Sequence, residues 1–275
     1  MEFLIIENKP ERARIFDEMG VDRIFLDLEI IGKTERQGHL DTVISLHHQI
    51  QDIDPIRKEL KRSKLLVRCN PIHEHSFSEI NEIIDRGADI IMLPFFKSHF
   101  EVERFLAIVD GRVGTTLLLE TPEAFCRVDN ILALKGIDEI HIGLNDLHLG
   151  MGLSFMFELI STGIVDYLVK KIKDKGLKFG IGGIANLEGG LIAGKSILSE
   201  HVRLGSSMAI LSRSMTNSFN NNLDGIGEEV KRLRAFETFL LKQSEDYFIE
   251  AHTDFVNAVN NIVEKKIKIQ GFAFN

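Results

Sequence analysis

The sequence predicts an α/β protein: a closed (β/α)8 TIM barrel followed by a C-terminal helical extension. Three observations lead there. A short apolar strand, a turn and a charged amphipathic segment recur eight times before about residue 215. The strands are apolar throughout, which suits a parallel sheet covered by helices rather than one open to water on one side. The chain of 275 residues holds eight such units and leaves 216–275 over. An open doubly wound sheet is the competing arrangement, and the count of eight favours closure.

FLII (3–6) opens the pattern, and ERARIFDEMG is its helix, closed by Gly20. IFLDLE (24–29) is the second strand, followed by a polar loop, IIGKTERQG, and a helical stretch around LDTVISLHHQI. LLVRCN (65–70) is the third, stopped by Pro71, with FSEINEIIDRG as its helix. DIIMLPF (89–95) and FEVERFLAIVDG form the fourth unit. TTLLLE (115–120) is the fifth strand. Thr121 stands where an N-cap of TPEAFCRVDNILAL belongs, with Pro122 at the first helical position. EIHIGL (139–144) is the sixth, and the helix near FMFELISTGIVDYLVKKIKDKG reads as split in two. KFGIGGI (178–184) is taken as the seventh strand and HVRLGSS (201–207) as the eighth.

Domain boundaries follow at 1–215 for the barrel and 216–275 for the tail. SFNNNLDGIG reads as a loop and the remainder as helix. Val230, Leu233 and Leu240 fit one helix face, and Phe248, Phe255, Val259 and Ile262 another. These stripes need cover from the barrel's own bottom or from a neighbouring subunit. The expectation is a subunit contact, hence a homo-oligomer.

Bulk properties exclude several classes. A composition of 44% hydrophobic and 27% charged residues is that of a soluble protein with a core. A net charge of −8 argues against nucleic acid, which wants clustered Lys and Arg. Cys69 and Cys126 are too few for a disulfide framework or a four-cysteine zinc site, and read as small buried hydrophobes. The opening MEFLIIENKPERAR turns charged at once, unlike a signal peptide or a membrane span, so the cytoplasm is expected.

In a parallel barrel, function sits at the carboxyl ends of the strands. Asp27 and Glu29, Arg68 and Asn70, Glu120, and Asn145 and Asp146 gather at those ends. Glu120 and Asp146, with Gly143, Gly150 and Gly152 giving open backbone nearby, fit a divalent metal site. A pair of structural ion pairs is the alternative. His47 and His48 read as surface residues of a helix, and His141 as a hydrogen-bonded core residue. His73 and His148 follow strand ends and are the acid/base candidates. GIGGIAN (180–186) fits a phosphate cradle or close packing equally.

FLDLE (25–29), LLVRCNP (65–71), GADIIMLPFFKS (87–98), LLLETPEA (117–124) and GIDEIHIGLNDLHLGMG (136–152) fall in the order and spacing of one family. Over roughly residues 1–215 the chain resembles the HpcH/HpaI-type aldolase/citrate lyase family, of the phosphoenolpyruvate/pyruvate barrel superfamily. The resemblance implies that Glu120 and Asp146 hold Mg²⁺ or Mn²⁺. It also implies that Arg68 donates to an enolate oxygen, that Glu29 serves proton transfer, and that the amides of Gly143, Leu144, Asn145 and Asp146 bind a substrate carboxylate. The implied activity is a metal-dependent carbon–carbon lyase or aldolase acting on a 2-keto acid or hydroxyacyl thioester through a metal-stabilised enolate. The partner is then a small molecule, with neither nucleic acid nor membrane involved. Alternatives are an enolate-using hydrolase or transferase and a non-catalytic ligand-binding barrel. One departure stands out. Many pyruvate aldolases of the family carry histidine after the strand-two glutamate, and the citrate lyase branch prefers an acid; this chain has Ile30. Lys33 and Arg36 in the next loop either meet an anionic substrate or face water.

Overall fold

The computed structural model of the chain describes residues 1–33, 48–219 and 222–272. Eight parallel strands close on themselves in sequence order. They are β1 (Glu2–Ile6), β2 (Arg23–Asp27), β3 (Lys64–Arg68), β4 (Ile90–Leu93), β5 (Gly114–Leu119), β6 (Glu139–Ile142), β7 (Lys178–Ile184) and β8 (Met208–Leu211). The seam is β1 on β8, with Glu2 beside Met208 and Ile5 beside Leu211.

Alternation along each strand sorts the apolar residues into two concentric cores. Leu4, Phe25, Leu66, Ile90, Met92, Leu118 and Met208 fill the barrel. Their sequence neighbours, such as Phe3, Ile24, Leu65, Ile91 and Leu117, face outward onto the helices. At the amino end the lumen is closed by polar groups. Arg23 is buried between Glu2 and Glu139, and Thr116 Oγ1 donates to Glu139 at 2.6 Å.

Most helices lie where expected. Thr121 accepts from the Ala124 amide at 3.1 Å and caps Pro122–Cys126. The helix after β6 is indeed split, into Glu158–Ser161 and Ile164–Asp174, at Gly163 with φ +81. The eighth strand differs. HVRLGSS is the end of a helix, Gly194–Leu204, and its turn. Ile197, Leu198, His201 and Leu204 recur at helical spacing, and Gly205 (φ +75) ends the helix, so β8 begins at Met208. Of the expected helix around LDTVISLHHQI, residues 40–47 lie outside the described residues, as does Arg36.

The leftover stretch completes the barrel. Leu223–Leu240 is helical from within the segment read as a loop. Glu237 accepts from the Met1 amino group at 2.6 Å, Arg234 pairs with Asp22 and covers the Phe3 ring, and Gly227 lies against Met19. This helix packs on the first strand and first helix of the barrel. Beyond it, Glu245–Phe272 lies along Gly194–Leu204 and Glu158–Ser161. Val230, Leu233, Leu240, Phe255 and Val259 are all buried within the chain. These five find their cover within the chain, while Phe248 and Ile262 are half-buried against the same core. Burial of such side chains is worth about 1.5–3 kcal/mol each, which together rivals a domain's whole stability. Deleting the chain from Gly227 is therefore expected to unfold the barrel. A truncated protein melting at the full-length temperature would contradict this.

Among the described residues, no helix is long and apolar enough to cross a membrane. His141 and His201 are wholly buried. His141 Nε2 donates to the Gly182 carbonyl at 2.9 Å, and His201 Nδ1 meets Ser206 Oγ at 3.1 Å. Burial lowers their pKa values to about 4 and about 3. An unfolded histidine titrates near 6.5, so below that pH the unfolded chain binds protons the fold refuses. Stability is thus expected to fall as pH drops from about 6.5 toward 4, by roughly 2 kcal/mol per histidine between pH 7 and pH 5. Chemical denaturation at the two pH values checks it, and a flat profile refutes it.

Candidate active site at the carboxyl end of the barrel

Strand β2 ends in Asp27, buried and gripped from two sides. Arg68 Nε and Nη2 donate to its two carboxylate oxygens at 2.7 Å each, a fork that fixes the guanidinium plane. Lys33 Nζ pairs with the same carboxylate. Burial works against a charged Asp27, yet Arg68 and Lys33 outweigh it and hold the carboxyl below its ordinary range. Glu29 lies 3.3 Å from Arg68 Nη2, only 1% exposed. Burial also opposes the charge of Arg68, and Asp27 and Glu29 keep it protonated. Lys33, read as a loop cation facing substrate or water, is instead inside this cluster. Its aliphatic stem accounts for that, since it can run under the loop and deliver only the ammonium.

Asn70, after β3, holds the loop that carries these groups. Its Oδ1 accepts from the amides of Ile30 and Ile31 at 2.9 and 3.0 Å. Its Nδ2 donates to Glu79 at 2.8 Å, and His73 Nε2 meets the other Glu79 oxygen at 2.8 Å. His73 is thus engaged in this brace. Ile30 itself is 52% exposed, its amide tied and its side chain in the open.

Across the mouth, Glu120 follows β5 and is 3% exposed. The amide of Phe95 donates to its Oε1 at 3.0 Å, and Phe95 takes φ +48, a left-handed conformation rare for an aromatic residue. Gly143 is required beside it: a Cβ there would stand 2.8 Å from Glu120 Oε2. Asp146 is not in an open glycine loop as expected. It sits in the first turn of a short helix, Leu144–Gly150, that starts directly after Gly143. Leu144, Leu147 and His148 supply that helix's buried face, and Gly150 lets it approach Pro122. First-turn amides, here Leu144, Asn145 and Asp146, have no carbonyl of their own helix to bond. His148 is buried, with Nδ1 3.2 Å from the Leu144 carbonyl oxygen, and burial lowers its pKa.

The remaining readings are mixed. His48 is not on a helix surface. It is half-buried, and the Asp27 amide donates to its Nδ1 at 3.3 Å, because the chain returns over β2 there. Its Nδ1 is then the acceptor and the proton lies on Nε2. His141 is the core residue expected. The glycines of GIGGIAN answer to packing: a Cβ at Gly180 would strike Met208 and His141, and one at Gly182 would strike Leu144.

A divalent cation fits the two carboxylates across the mouth. Burial, then the charges of Asp146 and Glu29, push the Glu120 carboxyl well above its usual pKa, with Arg68 opposing. A cation between Glu120 and Asp146 relieves that repulsion. Both are hard oxygen donors. Such donors suit a hard divalent ion that keeps water in its shell. Among the described residues, no group of three or more His, Cys, Asp or Glu side chains is disposed to hold a metal.

Carboxylates and an arginine at the C-terminal mouth of a parallel barrel stand where barrel enzymes carry their chemistry. The chain belongs to the HpcH/HpaI aldolase/citrate lyase family, whose sequence model matches residues 3–159, more than half of it. A search of curated proteins finds no match. Among solved structures, an HpcH/HpaI aldolase/citrate lyase family protein from Burkholderia cenocepacia superposes with a TM-score of 0.63 at 13% identity, covering 84% of this chain and 94% of that one. The HpcH/HpaI aldolase from Desulfitobacterium hafniense gives 0.62 at 15% identity, covering 82% and 92%. Citrate synthase SbnG gives 0.61 at 14%, covering 84% and 93%. Identities this low speak for the shared fold.

Proposed function

We propose that this protein makes or breaks the bond between the carbons α and β to the keto carbonyl of a 2-keto acid, or to the thioester carbonyl of a hydroxyacyl thioester, through an enolate. The observation that carries the reading is the facing of Glu120 and Asp146 by a clamped arginine at the barrel mouth. Glu120 and Asp146 would hold Mg²⁺ or Mn²⁺, and such an ion would supply positive charge for an enolate. Arg68 spends Nε and Nη2 on Asp27, and the guanidinium held this way would donate to the enolate oxygen through Nη1. The first-turn amides after Gly143 hold the substrate carboxylate. Glu29, beside Arg68, takes the hydroxyl proton as the bond breaks. The bonding pair then becomes the enolate, which is reprotonated at carbon to give the keto acid. His73 is committed to Glu79 and His148 to the Leu144 carbonyl, which leaves the proton transfer to Glu29.

Cleavage of a 4-hydroxy-2-keto acid tests this, with the released pyruvate measured in the presence of Mg²⁺ and after chelation. Release that stops on chelation is expected. Release that persists at the same rate after chelation contradicts the reading. A homo-oligomer joined through the outer face of the last two helices, where Phe239, Leu241 and Ile249 stay exposed, belongs to the same proposal. Light scattering on the full chain decides it, a monomer being the contrary result.

A further inference from the structure

The stripe on the last helix runs Phe255, Val259, Ile262, and its next position is Lys266. Spacing of three and four calls for an apolar residue there. The lysine instead turns back onto the barrel face that carries the site. Its Nζ donates to the Ser154 carbonyl at 3.0 Å and lies 4.9 Å from the centre of the Phe155 ring. Below it, Phe155 meets Phe157 edge-on at 5.2 Å, and Phe157 meets Phe255 of the same helix at 5.9 Å.

What Lys266 grasps is the end of the Asp146 segment. The Leu153 amide donates to the His148 carbonyl at 2.9 Å and the Met151 amide to Leu147 at 3.0 Å, which ties the turn rigidly to the helix Leu144–Gly150. Ser154 is the next residue. A helix of seven residues has too few internal bonds to hold its own position, so its anchors matter. At its start the anchor is Gly143, just after β6, whose amide donates a hydrogen bond to the Leu119 carbonyl of β5 at 2.9 Å. At its end it is the contact of Gly150 with Pro122 and, through Ser154, the tail.

We propose that Lys266 is a positioning residue for the site: by fastening Ser154 and Phe155 it sets the helix that presents Asp146 opposite Glu120. The inference rests on the reading of Glu120 and Asp146 as the metal carboxylates. It gives the C-terminal helix a task in function beyond burying its own stripe.

Lys266→Ala, Lys266→Arg and Asp146→Asn tested in the full chain separate the two ideas. Two readouts serve: Mn²⁺ affinity, and amide hydrogen exchange without metal. Lys266→Ala is expected to weaken Mn²⁺ binding about three- to tenfold. It should also speed exchange across 144–157 by roughly tenfold while β3 and β4 exchange as before. Lys266→Arg, which keeps both the donor and the cation over the ring, should restore both. If wild type binds Mn²⁺, Asp146→Asn does not, and Lys266→Ala matches wild type in both readouts, the positioning role is wrong and the metal reading stands. If wild type binds no Mn²⁺, the metal reading fails and takes the inference with it. Uniformly faster exchange over the whole barrel would reduce Lys266 to a stabilising contact and overturn the proposal.

Discussion

Glu120→Gln and Asp146→Asn are each expected to abolish metal-dependent turnover while the barrel stays folded. Each substitution keeps shape and removes one of two charged oxygen ligands, and an ion held by two carboxylates does not survive the loss of one. The fold has little to lose. Glu120 is buried against Asp146 and Glu29, so its charge is a cost without metal, and glutamine relieves it. The metal-free Glu120→Gln protein should therefore melt no lower than wild type. The Phe95 amide keeps an acceptor, because the glutamine carbonyl can replace Oε1. Mn²⁺ titration followed by magnetic resonance gives the affinities. Binding as tight as wild type in both variants would remove the metal from this end of the barrel.

Arg68→Lys is expected to lower the rate by about 10²–10³, the usual worth of one donor to a developing oxyanion. Charge is retained, and geometry is not. The guanidinium holds both Asp27 oxygens with two nitrogens of one plane, whereas a lysine has a single nitrogen. A lysine drawn onto Asp27 leaves the enolate oxygen without its donor. One drawn into the mouth leaves Asp27 to Lys33 alone. A variant within about threefold of wild type in turnover would mean that Arg68 only neutralises Asp27.

The strand ends were legible because an apolar run that stops in a single charge says where the sheet opens, and Asp27, Arg68 and Glu120 all lie there. The partners were not. Lys33 sits six residues after Asp27 in a polar stretch, and nothing local distinguishes a lysine folded back under the loop from one in water. Phe95 is an ordinary strand residue in sequence; its left-handed backbone, and the amide it gives to Glu120, leave no mark there. The glycines around Asp146 read as loop because glycine favours turns, while Leu144, Leu147 and His148 were already at helical spacing. The last strand was misplaced for the opposite reason, since MAIL is four residues long and HVRLG, ending a helix, mimics a strand with its turn. The tail's stripes were seen, but which surface they cover is a property of the whole chain.

The central claim is that this mouth forms an enolate. Exchange of the pyruvate methyl protons with deuterated water reports that step alone, without knowledge of the second substrate. With Mg²⁺ or Mn²⁺, wild type is expected to exchange the methyl protons far above the buffer rate. Chelator and Asp146→Asn should each return the rate to background. No metal-dependent exchange in wild type, in a preparation shown to bind the metal, would contradict the account.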